Sequence, residues 1–332
     1  MIITKTPFRL SLMGGGSDLR AFYKHGGGAV VSTAIDKFVY LAIHRYFEPK
    51  IVLKYSRTET VDSVADIQHP LIRECMLACD VNEPLELTSF ADIPSSGSGL
   101  GSSSAFAVGL IKVLHAFKGR EASSERCAAM ACDVEIARLN APIGKQDQYA
   151  SAYGGLNFIR FCPDESVLVE PLVMPADRRA ALQRRLMMFY TGVTRQANSV
   201  LAEQQRNTEE DSAARGRLVR MVALAEMLRA DLVAGTVDTL GDMLHEAWCL
   251  KKGLASGVSS DAIDAMYDAG RRAGATGGKV LGAGGGGFIV FDVPEEKQAA
   301  VASALSDLRR VPIAFEPHGT RTLYYQDEGA MA

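Results

Sequence analysis

Residues 94–105 read PSSGSGLGSSSA, and no other stretch restricts the fold as tightly. Glycines at 97, 99 and 101 let the backbone turn its amides inward and approach a ligand closely, and the serines add hydroxyls. Upstream, Leu85, Leu87 and Ser89 alternate with Glu86, Thr88 and Phe90, as in a strand. Downstream, Phe106, Leu110, Val113, Leu114 and Phe117 recur at helical spacing. A glycine loop therefore opens a helix, whose free amides and positive dipole end favour an anion, with phosphate the natural guest. An ordinary flexible loop is the bland alternative.

Two better-known phosphate motifs do not apply. A Walker A loop needs a lysine, and none lies between Pro94 and Phe106. A formal GxGxxG occurs at Gly282, Gly284 and Gly287, but Phe288-Ile289-Val290-Phe291 follows it as a strand where a dinucleotide fold needs a helix.

The length of 332 residues suggests two domains at about 100 to 200 residues each, and 47% hydrophobic residues suffice for a sizeable core. Lys and Arg number 36 against 39 acidic residues, a net charge of −3, which gives no basic field to recruit nucleic acid or an anionic membrane. The expected partner is a small molecule. The N-terminus MIITKTP lacks a leader pattern and no 18-residue apolar segment occurs, so a soluble cytoplasmic protein is expected. The six cysteines contain no CxxC pair and read as small buried hydrophobes, and the six histidines form no metal pattern.

Strand signals at 2–4, 30–35, 38–45 and 51–55 mix with helical ones at 69–79, 103–118 and 124–139, an α+β pattern. Segments 153–161 and 167–172 read as a hairpin, and a boundary near 175–180 divides the chain into 1–178 and 179–332. The second half reads as a strand at 186–191, helical stretches at 195–233, 238–253 and 260–274, strands at 280–281 and 288–293, a helix at 295–309 and a last strand at 322–325.

Three glycine-rich segments, 14–16, 97–101 and 282–287, suit one cleft that holds a polyphosphate and a second substrate. With their flanks they read TPFRLSLMGGGSD from Thr6, PSSGSGLGSSSA from Pro94 and KVLGAGGGGF from Lys279. Together these resemble the three motifs of the GHMP kinases, the superfamily of galactokinase, homoserine kinase and mevalonate kinase. The resemblance spans nearly the whole chain. It implies a two-domain α+β fold, with a ribosomal-protein-like N-terminal domain, a ferredoxin-like C-terminal domain and an ATP cleft between them.

It also implies roles for residues. The loop Pro94, Ser96, Gly97, Ser98, Gly99, Leu100, Gly101, Ser102, Ser103 and Ser104 would wrap the ATP phosphates. Ser103, with Ser104 close behind, and Glu135 would hold Mg2+, a hard cation that takes oxygen ligands and keeps several waters. From the residues alone, Glu135 reads equally as a surface partner of Arg138 at i,i+3. Asp147, in GKQDQ, matches the aspartate that serves as base toward the acceptor hydroxyl; by itself it could be a turn cap. Arg9, with Lys5 as the other nearby cation, would stabilise the transferring phosphoryl group, while a structural arginine holding the loop is the alternative.

The acceptor is read from Gly14, Gly15, Gly16, Ser17 and Asp18. Galactokinases carry Gly-Glu-His-Thr-Asp there, so the triple glycine makes galactose less suitable while Asp18 can still accept from sugar hydroxyls. The GGGSD form, with the stretch FYTGVTR ending at Arg195, resembles bacterial D-glycero-D-manno-heptose 7-phosphate kinases and, more distantly, fucokinases. The former act on the anomeric hydroxyl to give a 1,7-bisphosphate, on the route to nucleotide-activated heptose and surface or capsule polysaccharide. Arg138, Arg195, Gly284 and Gly285 complete the expected substrate contacts, and Arg20, Lys24 and Lys145 are further candidates for a cationic pocket that takes the acceptor's phosphate. A homodimer is compatible with this reading. A fucokinase-like sugar 1-kinase and a non-catalytic, kinase-like ligand sensor remain the alternatives.

Overall fold

The computed structural model describes residues 1–93, 97–193 and 197–326. Its first strand, β1 (Ile2–Met13), is buried without interruption from Thr6 to Met13. Such a run marks a strand covered on both faces. It pairs antiparallel with β2 (Gly28–Arg45), where the sequence suggested two strands. The ladder passes from Pro7↔Phe38 to Phe8↔Ile35, so Asp36 and Lys37 form a bulge that bends one long strand rather than ending it. β3 (Ile51–Lys54), β4 (Thr58–Val61), β5 (Leu85–Ala91), β6 (Leu156–Phe161) and β7 (Val167–Pro171) extend this sheet, with β5 and β6 both on β2.

After the short turn of helix α1 (Arg20–Tyr23), helices α2 (Pro70–Cys79), α3 (Ser102–Phe117), α4 (Ser124–Cys132) and α5 (Gln146–Tyr153) cover one face of the sheet. Ile43, Leu53, Leu87, Met76, Ile111, Leu114 and Phe161 lie in the core between them. The helix expected to run from 124 to 139 leaves α geometry at Asp133, and Asp133–Arg138 is a π turn. Wide turns of this kind recur at functional sites.

The other face of β1 and β2 packs on the second half. There α6 (Ala176–Arg185) leads into β8 (Leu186–Tyr190), followed by α7 (Ala197–Glu210), α8 (Ser212–Val233), α9 (Leu240–Lys252) and α10 (Asp261–Arg272). The expected single stretch at 195–233 is two helices because the Asp211 side chain accepts from the Ala213 amide at 2.8 Å and caps α8. β9 (Gly277–Val280), β10 (Phe288–Asp292) and β11 (Arg309–Val311), with α11 (Gln298–Ala304) between the last two, complete an antiparallel sheet of order β11-β8-β10-β9.

Phe8, Leu10, Leu12 and Val31 share one core with Met188, Leu224, Leu228, Leu232 and Val290, so apolar burial fastens the two halves together. The last strand, β12 (Arg321–Tyr325), returns to pair with β1. Residues beyond 178 thus complete the first sheet. Four cysteines are buried as expected, but Cys162 is half-buried and Cys249 exposed. Among the described residues no helix is long and apolar enough to cross a membrane.

Candidate active site

Two of the glycine segments touch. A Cβ on Gly99 would stand 2.5 Å from the Leu281 carbonyl oxygen, and one on Gly282 would stand 2.5 Å from the Gly99 Cα, so any side chain at either point would part the loops. Both glycines also have φ near +70°, which L side chains rarely adopt. The segment at 282–287 therefore serves mainly to let the second half press backbone against backbone on the loop at 97–101. Gly284 and Gly285 face Val258, so the expected substrate contacts there are corrected to packing contacts.

Behind this junction lies a cavity of about 300 Å³ lined by Gly97, Ser98, Gly99, Gly101, Ser102, Ser103 and Ser104 on one side. Gly101 is the N-cap of α3, and no side chain caps the helix. First-turn amides have no intrahelical partners, so the helix presents its positive end to the cavity. Leu100 points into the core instead, fully buried. Pro94, Ser96 and Arg195 lie outside the described residues.

Arg9 and Asp147 form the chemical centre. Arg9 is buried on β1 and donates through Nε and Nη2 to the two oxygens of Asp147 at 2.6 and 2.7 Å. Its Nη1 donates to the Gly99 carbonyl at 2.7 Å, and its backbone amide donates to Leu100. Arg9 thus holds the loop, the structural alternative read from the sequence, and in addition aims the carboxylate. Asp147 stays partly open to the cavity. Each of its oxygens has a second lone-pair site that can accept from a ligand hydroxyl.

Glu135 sits on the π turn, 3% exposed, and accepts from Ser103 Oγ at 2.9 Å and Gln148 Nε2 at 2.7 Å. Burial pushes its carboxyl above the usual range, against hydrogen bonds from Ser104, Gln148 and Ser103 that favour the charged form. It is not a partner of Arg138, which pairs with Asp133 at 2.8 Å and lines no part of the cavity. The expected substrate contact by Arg138 is corrected accordingly. Lys5 also lies away from the cleft, its ammonium 3.5 Å from the Phe38 ring centroid, so its expected catalytic role is withdrawn.

Gly15, Gly16 and Asp18 line the cavity as expected. Asp18 is buried and accepts from the Gly16 amide at 2.9 Å and Gln146 Nε2 at 3.0 Å. Burial, then the neighbouring Asp147, raises its pKa. Ser17 turns away and donates to the Gly14 and Ala29 carbonyls, and Gly14 packs on Ala29, so both are structural. Around Gly15 and Gly16 stand Ser11, Gln146 and Gln204, all on the cavity wall. Ser11 Oγ, Gln146 Oε1 and Gln204 Nε2 are buried with no hydrogen-bond partner among the described residues. An orphan of this kind costs about 1–3 kcal/mol, and a ligand rich in hydroxyls would satisfy all three.

Two cations went unassigned in the sequence. Lys251 and Lys279 are buried on the cavity wall. Lys251 donates to the Gly282 carbonyl, and Lys279 to that of Leu12 at 3.4 Å. Among the described residues neither forms an ion pair with a carboxylate. Burial, then the charge of Arg9, lowers Lys251 to about 8, and burial, then the charges of Lys251 and Arg9, pushes Lys279 well below the usual lysine range. Both had a signal. On α9 the buried residues run Leu240, Met243, Leu244, Ala247, Trp248 and Lys251, so this lysine continues the apolar stripe instead of the wet face.

Residues 64–155 match the GHMP kinases N terminal domain and residues 228–309 the GHMP kinases C terminal domain. The chain is 28% identical over 321 residues to a D-glycero-alpha-D-manno-heptose 7-phosphate kinase of Campylobacter jejuni, covering 92% of this chain and 93% of that one. It is 24% identical to a galactokinase of Pyrococcus furiosus, covering 92% of both chains. Among solved structures, a D-glycero-D-manno-heptose 1-phosphate kinase from Bacteriodes thetaiotaomicron superposes with a TM-score of 0.82 at 24% identity, covering 98% of this chain and all of that one. With both domains matched and both halves of the cleft in place, the chain belongs to the GHMP kinases, phosphotransferases that use ATP as donor and an alcohol group as acceptor.

Proposed function

We propose that this protein is a sugar kinase that transfers the γ-phosphoryl group of ATP to the anomeric hydroxyl of D-glycero-D-manno-heptose 7-phosphate, giving the 1,7-bisphosphate, which feeds nucleotide-activated heptose and surface polysaccharide. The observation that carries the sugar is the ring of orphan polar atoms, Ser11 Oγ, Gln146 Oε1 and Gln204 Nε2, around Gly15 and Gly16 beside Asp147. The heptose is supported by the relative in Campylobacter jejuni. A fucokinase-like acceptor is the second reading, supported by 26% identity over 88% of this chain to the bifunctional fucokinase/GDP-fucose pyrophosphorylase of Arabidopsis thaliana, of which the match covers 30%.

The triphosphate would lie against the amides of Gly97 to Ser104, with its terminal group turned toward Arg9, Lys251 and Lys279. Its base fits the neighbouring cavity of about 360 Å³ walled by Tyr55, His69, Phe90 and Phe106, which shares Ser102 and Ser103 with the phosphate side. Ser103 and Glu135, an oxygen pair 2.9 Å apart, would hold a Mg2+, a hard cation suited to such oxygens. That ion supplies charge neutralisation at the phosphoryl oxygens. The donor of the acceptor proton is the sugar hydroxyl, held against Asp147 while Asp18 and Gln146 fix the neighbouring hydroxyls.

In-line transfer passes through a loose, highly charged transition state, so positioning and fixed cations outweigh covalent help. Arg9 couples both needs. It keeps Asp147 oriented and contributes charge where the bridging oxygen develops it. As the bond to phosphorus forms and the bond from phosphorus to the bridging oxygen breaks, with that oxygen leaving on ADP, the hydroxyl proton passes to Asp147, whose carboxyl group stays anchored to the guanidinium.

The test is turnover with ATP and Mg2+ on a panel of heptose 7-phosphate, heptose, fucose, galactose and mannose, with the product anomer assigned by NMR. Phosphorylation of the heptose 7-phosphate at C1 well above the others is expected. A panel with no turnover would remove the sugar-kinase reading, and a preference for fucose would replace the acceptor alone.

A further inference from the structure

A second cavity, of about 750 Å³, opens beside the first and shares Leu19, Ala141 and Ile143 with it. Its wall carries Arg20, Tyr23 and Lys145, drawn from α1 and from the turn before α5. All three donate to one carboxylate. Arg20 Nε reaches Glu165 Oε1 at 2.7 Å, while Tyr23 OH and Lys145 Nζ reach Oε2 at 2.6 Å each. Lys145 also donates to the Glu165 backbone carbonyl at 3.0 Å, and its ammonium lies 4.9 Å from the Tyr23 ring centroid.

Two cations facing one carboxylate leave a net positive cluster. The other acidic residue on this wall, Asp133, is engaged by Arg138 and does not offset it. The position matters as much as the charge. Lys145 adjoins Gln146, which holds Asp18, and stands two residues before Asp147. One turn of chain therefore places a hydroxyl-accepting carboxylate in the first cavity and an anion-accepting ammonium in the second. A ligand spanning the shared wall would need a hydroxyl at one end and an anionic group at the other.

We propose that Arg20, Tyr23 and Lys145 form the seat of the acceptor's own phosphate, and that the Glu165 carboxylate fills this seat in the free protein. This rests on the sugar-phosphate reading above. A phosphate monoester offers three acceptor oxygens and nearly two negative charges where the carboxylate offers two oxygens and one charge, so it competes well for the same donors. Glu165 stands in the turn between β6 and β7 with its side chain 42% exposed. Water can take up the displaced carboxylate at its exposed Arg20 side, while the bond to the mostly buried Lys145 has to be replaced by the phosphate itself. The seat also discriminates. A sugar without the phosphate leaves Glu165 in place and gains nothing from the two cations.

The experiment compares kcat/KM on heptose 7-phosphate with kcat/KM on unphosphorylated heptose, and measures inorganic phosphate as a competitor of the phosphosugar. Arg20→Ala should lower the ratio of the two kcat/KM values about tenfold, and Arg20→Ala with Lys145→Ala about a hundredfold, as expected for charge-assisted bonds to a phosphate. Inorganic phosphate should compete less well in both. Glu165→Gln should lower KM for the phosphosugar severalfold, because the resident competitor loses its charge. Equal losses on the two sugars would show that the cluster merely braces the turn before Asp147, and would overturn the proposal. A wild-type preference for the phosphosugar that Arg20→Ala leaves intact would overturn it as well, with the acceptor reading still standing. If the wild-type protein makes no distinction between the two sugars, the phosphosugar reading itself fails and the seat with it. Arg20 is largely exposed, so unchanged melting curves will show that its variant folds.

Discussion

The two halves of the molecule supply cations to one cavity in opposite ways. Arg9, from the first half, meets the Asp147 carboxylate along one edge of its guanidinium and the Gly99 carbonyl at its other end, whereas Lys251 and Lys279, from the second, are buried against carbonyl oxygens with no carboxylate partner among the described residues. A paired charge is a positioning device and is satisfied before any ligand arrives. A buried lysine left without a counter-ion costs stability in the free protein, as a charged group or as one driven toward its neutral form, and a polyanion that enters favours the ammonium again. Lys251 is helped by its place in the last turn of α9, where the helix dipole favours a cation. The first wall is built for geometry and the second for charge.

The sharpest way to break this division is at the pair itself. Asp147→Asn keeps the shape and one of the two acceptors for Arg9 but loses the other acceptor and the ability to take a proton, so kcat should fall by about 10³, within the 10²–10⁴ range of general base effects. Nucleotide affinity, measured by calorimetry with a non-hydrolysable ATP analogue, should change little. A turnover number within a few-fold of the wild type would remove Asp147 from the chemistry and leave it as the anchor of Arg9.

The second wall makes a contrary prediction for stability and activity. Lys251→Met removes a buried charge and keeps the stem, so the free protein should melt a few degrees higher while kcat/KM for ATP falls about 10²-fold. A lysine with only a structural role would lower both. The pH dependence follows from the displaced pKa. Folding lowers the Lys251 pKa from 10.5 to about 8, so between these values the unfolded chain holds more protons and stability rises with pH. Over the same window the free protein loses the ammonium, and KM for ATP should climb above about pH 8. Both trends should flatten in Lys251→Met, and a variant that retains them would assign the titration to another group.

The contrast between the walls is also one of legibility. Arg9, Glu135 and Asp147 could be found because they sit in or near short segments whose composition defies a packed core. The glycine loop announced its helix, and α3 begins within a residue of its expected start. Lys251 is the one polar side chain on the buried stripe of α9, and Gln204 shares the buried side of α7 with only Val200 and Thr208, so both are easily read as the edge of a solvated face. Lys251 meets the Gly282 carbonyl and Gln204 stands against Gly16, both remote in the chain, so only tertiary packing reveals what they line. The π turn at Asp133–Arg138 was out of reach for a different reason: helical periodicity carries no signal for one inserted residue in a turn, although that turn is what swings Glu135 toward Ser103. Strand ends and bulges were blurred similarly, since β2 passes through its bulge at Asp36 and Lys37 without a break in pairing.

Lys5 offers the smallest effect and a clean check on where the first wall ends. It shares β1 with Arg9, four residues away, and at about 3.3 Å per residue the two Cα atoms stand roughly 13 Å apart along the strand. Its ammonium packs on Phe38, with Tyr40 beyond, and these rings lie on β2 away from the cavity. A cation over an aromatic face at a part-exposed site is worth about 0.5–1 kcal/mol. Lys5→Ala should therefore lower stability by about that amount in a denaturant titration and leave kcat and both KM values within twofold of the wild type. A tenfold fall in kcat would mean that the positive field at the phosphoryl group extends beyond Arg9, and that β1 contributes charge at a distance as well as geometry at contact.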